Sequence, residues 1–124
     1  MNKKLPVPTE EEEQETLFMW AESKTGKFPE LELLYHITNE GKRNPITGAR
    51  LRAQGLKKGF PDICLPVARG GKHALYIEMK RTEGGKVGAE QEKWLRALAA
   101  EGNAAYVCFG WIEAAEVIED YLIK

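Results

Sequence analysis

The sequence predicts an α/β domain, a mixed β-sheet flanked by helices in the order α-β-β-β-α-β-α. Three observations carry that expectation. Three short apolar runs, bounded by turn residues, occupy the first two thirds of the chain. A helical pattern over Ala89–Ala100 then separates the last of them from a fourth apolar run, the spacing of a parallel crossover. Amphipathic segments at both ends supply cover for the sheet. The chain has 124 residues, 43% of them hydrophobic, which suits one core, and no apolar run is long enough to span a membrane.

The elements follow in order. Thr9 with Glu12 reads as a capping box, so a helix is expected over Glu10–Ser23, with Leu17, Phe18, Trp20 and Ala21 as its apolar stripe. Leu33–Thr38 reads as a short strand and Thr47–Gln54, closed by Gly55, as a short helix. Ile63–Val67 and Ala74–Lys80 read as two strands joined by the hairpin turn Arg69-Gly70-Gly71-Lys72. Glu83–Gly88 is a glycine-rich loop without the spacing of a phosphate-binding P-loop, which excludes a nucleotide cofactor. The Ala89–Ala100 helix ends at Gly102 and places Trp94, Leu95, Leu98 and Gln91 on its inner face. Ala104–Phe109 reads as a buried strand and Ile112–Leu122 as a closing helix with Ala115, Val117, Ile118, Tyr121 and Leu122 inward.

The chemistry concentrates in two places. Asp62 opens one strand, and Glu78 and Lys80 close the next. Residues two apart on a strand share a face, so Glu78 and Lys80 point one way while Leu75, Ile77 and Met79 point the other. A hairpin brings Asp62 beside them. Two carboxylates suit a hard divalent cation such as Mg²⁺, and an ammonium suits the placing or activation of water. In the first helix, Glu13 falls on the apolar stripe; it is either a buried third carboxylate or a solvated residue at the stripe's edge. The second feature is electrostatic. Net charge is −1, yet Gly41–Pro61 contains no acid and carries Lys42, Arg43, Arg50, Arg52, Lys57 and Lys58. Beside the Asp/Glu/Lys group, these are expected to contact phosphates; alone, the segment reads rather as a solvated basic loop. Cys64 and Cys108 lie in apolar runs and are expected to be buried thiols of a reducing cytosol.

The combination resembles a known family. The glutamate-rich first helix, His36-Ile37-Thr38-Asn39-Glu40-Gly41-Lys42-Arg43, Gly59-Phe60-Pro61-Asp62, Glu78-Met79-Lys80 and Glu90-Gln91, in that order, are similar to the virus-type replication-repair nuclease (VRR-NUC) domain of the PD-(D/E)XK superfamily, in its stand-alone, phage-like form. The resemblance implies a restriction-endonuclease-like core, with residues 1–8 a tail and 9–124 a single nuclease domain. It implies Mg²⁺- or Mn²⁺-dependent hydrolysis of branched DNA, as in a homodimeric resolving enzyme for four-way (Holliday) junctions, in the cytoplasm of a bacterial or phage-infected cell. Asp62, Glu78, the Met79 backbone carbonyl and Glu13 would hold the metal, Lys80 would act on the water, and Gln91 would stand near the active site. His36 and Asn39 would line the DNA groove, although a strand histidine is more often a satisfied core residue. Rival readings are a flap- or end-dependent nuclease, a non-catalytic DNA-binding module, and an interaction protein in which Asp62 and Lys80 form an ordinary salt bridge.

Overall fold

The computed structural model describes residues 5–38 and 45–124. Helix α1 (Glu10–Ser23) starts at the expected capping box. The Thr9 hydroxyl accepts the Glu12 N–H at 3.1 Å, and the Glu12 carboxylate accepts the Thr9 N–H at 3.1 Å. Glu13, Leu17 and Ala21, one turn apart, form its buried stripe.

The strand expected over Leu33–Thr38 is shorter. A 3-10 helix occupies Pro29–Leu33, and strand β1 is only Tyr35–His36. Proline at the first helical position has a φ already suited to a helical turn. Leu31 and Leu34, three apart, both turn inward, while Leu33 is 54% exposed. That is helical spacing; a strand would have put Leu31 and Leu33 on one side. Helix α2 (Pro45–Ala53) likewise opens on a proline, two residues before the expected start.

Strands β2 (Ile63–Leu65), β3 (Leu75–Lys80) and β4 (Ala104–Phe109) complete a sheet in the order β1-β2-β3-β4. The first two pairings are antiparallel and β3–β4 is parallel, as the crossover through α3 (Ala89–Ala100) demands. Arg69 and Lys72 exchange backbone hydrogen bonds at 3.1 and 2.8 Å around the Gly70-Gly71 turn. Leu75, Ile77 and Met79 join Leu17, Ala21 and residues of α4 (Trp111–Leu122) in one core, so α1 and α4 cover one face of the sheet. Helix α3 lies over the other face, where Phe60 packs edge-on against Tyr76 and at a tilt against Trp94. The expected inner face of α3 is only half covered. Trp94, Leu95 and Leu98 are partly buried, and no α3 residue is fully so. No helix among the described residues is long and apolar enough to cross a membrane.

Candidate active site

Strand register builds the site. Ile63 pairs with Ile77 across the β2–β3 ladder, so one step outward Asp62 stands opposite Glu78. Asp62 is fixed there by its own carboxylate, which accepts the Met79 N–H at 2.8 Å. The turn before it is held from α3: the Trp94 indole N–H donates to the Lys58 carbonyl at 2.9 Å. Gly59 has φ +83°, and a Cβ there would lie 2.8 Å from Glu90 Cβ, so only glycine lets this turn pass the start of α3.

Glu78 is 3% exposed and is the centre of the cluster. Lys80 Nζ lies 3.5 Å from its carboxylate, and the Gln91 amide N–H donates to the same oxygen at 3.1 Å. Gln91 is itself oriented by the backbone, since its carbonyl oxygen accepts the Gly88 N–H at 2.8 Å. Burial, and then the neighbouring Asp62 carboxyl, push Glu78 up to about 8, against the opposing pull of Lys80. Two carboxyls thus stand side by side, with Lys80 against Glu78. Their oxygens are hard donors, and a site with one or two carboxylates, completed by water and phosphate oxygens, is how Mg²⁺ is commonly held. The residues present fit such an ion. Among the described residues, no three His, Cys, Asp or Glu side chains are grouped to hold a metal without outside ligands.

The first helix brings two glutamates to this end of β3. Glu13 is 5% exposed, and its carboxylate accepts the Trp111 N–H at 3.2 Å, at the start of α4. This is a favourable place for an anion at a helix N-terminus. Gly110, with φ +90°, leaves room for it; a Cβ there would meet Thr82 Cγ2 at 2.7 Å and the Glu13 carboxylate at 3.4 Å. Glu10 instead reaches Lys80, with Oε1 3.8 Å from Nζ.

The profile of the VRR-NUC domain matches residues 8–111 of the sequence. The chain belongs to the VRR-NUC family. A solved structure described as a VRR_NUC domain protein is 30% identical and superposes with a TM-score of 0.81, over 95% of this chain and 91% of its own. No curated protein matches the chain. The protein is therefore a nuclease-fold domain of a family that acts on DNA, with the expected mixed sheet flanked by helices.

Within the VRR-NUC domain, Asp62, Glu78, Lys80 and Gln91 come together at one end of β2 and β3. Glu13 does not join them through any hydrogen bond; it is turned to α4, and Glu10 is the first-helix glutamate beside Lys80. The cue to Glu10 is present in the capping box, which orders the first turn that would otherwise fray. His36, expected in the core or in a DNA groove, is exposed, with Nδ1 2.8 Å from the Gln14 amide nitrogen and 3.2 Å from the Asp62 carbonyl oxygen. Sequence reasoning passes over Gln14, which lies one helical turn after Glu10 and shares its side of α1. Arg50 and Arg52 lie exposed in the last turn of α2, and Lys57 and Lys58 are exposed on the segment leading to Asp62. Asn39, Lys42 and Arg43 lie outside the described residues. Cys108 is buried and Cys64 half-buried, both as free thiols.

Proposed function

We propose that this domain is a metal-dependent DNA endonuclease that hydrolyses phosphodiester bonds in branched DNA, with the four-way junction as its principal substrate. The observation that carries the reading is the half-buried Asp62 carboxyl beside the buried Glu78, with Lys80 against Glu78. Two carboxyls held side by side offer the hard oxygen donors that a divalent cation shared with a DNA phosphate takes.

Asp62 and Glu78, with the Met79 carbonyl, are the proposed ligands of Mg²⁺ or Mn²⁺. Once bound, the ion lowers the pKa of a coordinated water and offsets charge growing on the phosphate. Lys80, held between Glu78 and Glu10, places or deprotonates the attacking water. Gln91 keeps the Glu78 carboxylate in one orientation. Glu13 contributes indirectly in this scheme, by fixing α1 against the start of α4. Arg50, Arg52, Lys57 and Lys58, with Lys42, Arg43 and Asn39, contact the DNA backbone. Two symmetric cuts require two matched sites, so the working form is a homodimer. Its setting is DNA repair or recombination in a reducing cytoplasm, which suits the two free thiols.

The test is cleavage of end-labelled four-way junction, 5′ flap, linear duplex and single-stranded DNA in Mg²⁺, Mn²⁺ and EDTA. Paired, symmetric, metal-dependent cuts in the junction are the expected result. Cutting confined to flaps or ends would reassign the substrate, and tight binding without any cutting would make the domain a non-catalytic DNA-binding module.

A further inference from the structure

Arg81 directly follows Lys80, at the end of β3 that carries the proposed centre, and the mechanism above does not use it. Its Nη2 donates to the Val7 carbonyl at 3.1 Å, while its Nε is shut off from solvent and has no hydrogen-bond partner. Nε–H and one Nη2–H form the two prongs of a fork that matches two oxygens of a carboxylate or phosphate. A carbonyl supplies one oxygen, so the fork is engaged on one prong only. A donor kept from water without an acceptor is costly to a folded protein. The tether of that carbonyl is slight. Residues 5–8 read Leu-Pro-Val-Pro ahead of the α1 cap, and the two prolines favour extended backbone and lack an N–H. Leu5, Pro6 and Pro8 are exposed, and among the described residues the Arg81 contact is the one hydrogen bond these four make. The segment is free to leave Arg81 without unpacking the core.

Resting on the nuclease reading, the geometry points to Arg81 as a phosphate site: a DNA phosphodiester takes both prongs of the Nε/Nη2 fork in place of the Val7 carbonyl, and residues 5–8 are the strap that covers the site in the free protein. A phosphodiester is the better ligand on two counts. It brings two non-bridging oxygens to two donors, and it brings negative charge to the guanidinium. With Arg81 one residue beyond Lys80, the grip fixes the register of the DNA strand at the proposed centre.

Two substitutions separate fork from charge. Arg81→Lys keeps the charge and removes the fork, and Arg81→Gln removes both. The measurements are binding of a labelled four-way junction in EDTA across a salt series, and ¹⁵N spectra of the arginine Nε–H groups in free and junction-bound wild type, with the Arg81 signal assigned by its loss in Arg81→Lys. Losing a hydrogen bond to a charged group is worth about tenfold. Arg81→Lys is expected to bind about tenfold more weakly with its salt slope unchanged. Arg81→Gln is expected to bind at least as weakly, with the slope lower by about 1. In the wild type the Arg81 Nε–H and the Val7 amide signals are expected to move together when the junction binds. Wild-type affinity in Arg81→Lys, or an Arg81 Nε–H signal unmoved by bound junction, would overturn the assignment while leaving the nuclease reading intact; the second needs no variant to fold. A wild-type protein that neither binds DNA nor cuts it in Mg²⁺ would instead remove the nuclease reading, and the Arg81 assignment with it.

Discussion

At the scale of single residues, Glu78 is tightly constrained, buried with Lys80 and Gln91 on one oxygen. Its carboxyl is raised to about 8, first by burial and then by Asp62, so the folded chain disfavours the charged form. The sign follows from linkage. With the folded value above the ordinary 4.5, Glu78's contribution to stability is full below about 4.5 and is lost as pH rises through about 8. A tenfold change in proton affinity corresponds to about 1.4 kcal/mol, so the loss in metal-free protein is on the order of a few kcal/mol. Glu78→Gln keeps an oxygen for Lys80 and Gln91 but removes the charge. In EDTA at pH 9 the variant should melt above the wild type, with the difference shrinking towards pH 5. Parallel melting curves at all pH values would show that the carboxyl pair is not under electrostatic load.

Residues also show what a sequence can and cannot announce. Asp62, Glu78 and Lys80 are legible because strand alternation and one hairpin register leave a single arrangement for them. The first-helix glutamate is not. Glu10, Glu11, Glu12 and Glu13 are consecutive, and neighbouring positions on a helix differ by about 100°. Burial assigns Glu13 to the α4 terminus and leaves Glu10 to Lys80, an outcome set by packing between helices that sequence periodicity does not reach.

At the scale of elements, the site depends on two supports. One is the α1–α4 layer, where Ile118 is wholly buried against the sheet. Ile118→Ala should cost about 2–5 kcal/mol of stability, read by denaturant melts, as expected for a core truncation. A cost under about 1 kcal/mol would mean the layer is not packed as described. The other support is α3, which holds the approach to Asp62 through Trp94. Trp94→Phe keeps an aromatic ring against Phe60 but deletes the donor to the Lys58 carbonyl. Its cost in stability should be small, about 0.5–1.5 kcal/mol. Its effect on cleavage should be larger, because Asp62 follows that turn directly. Equal, small effects on both would show that the turn holds its position without α3. Most elements are readable from apolar spacing and caps, the Thr9 box and the Gly70-Gly71 turn among them. The segment before β1 departs from the expected strand because Leu31, Leu33 and Leu34 satisfy either a strand or a 3-10 turn when taken as composition. Pro29 and the inward pairing of Leu31 with Leu34 decide for the turn.

At the scale of the whole molecule, charge is segregated although its sum is −1. Lys57 and Lys58 lie on the segment before Asp62 and Arg50 and Arg52 on α2, while Glu113, Glu116, Glu119 and Asp120 lie on α4, which covers the opposite sheet face from α3. In the proposed complex these four cations meet the DNA backbone. Removing one of Arg50, Arg52, Lys57 or Lys58 should lower the slope of log binding constant against log salt by about 1. Unchanged slopes for all four would place the DNA elsewhere. The inner face of α3 is on the same side of the sheet as Glu78, to which Gln91 donates.

The central proposal is that Asp62, Glu78 and Lys80 form a metal-dependent hydrolytic centre. The decisive experiment is single-turnover cleavage of a labelled four-way junction across a Mg²⁺ titration, with wild type, Asp62→Asn and Lys80→Ala compared at saturating protein. Cleavage is expected to rise with Mg²⁺ in the wild type, vanish in EDTA, and fall below detection in both variants while junction binding persists. Lys80→Ala or Asp62→Asn cutting at the wild-type rate would show that the centre lies elsewhere.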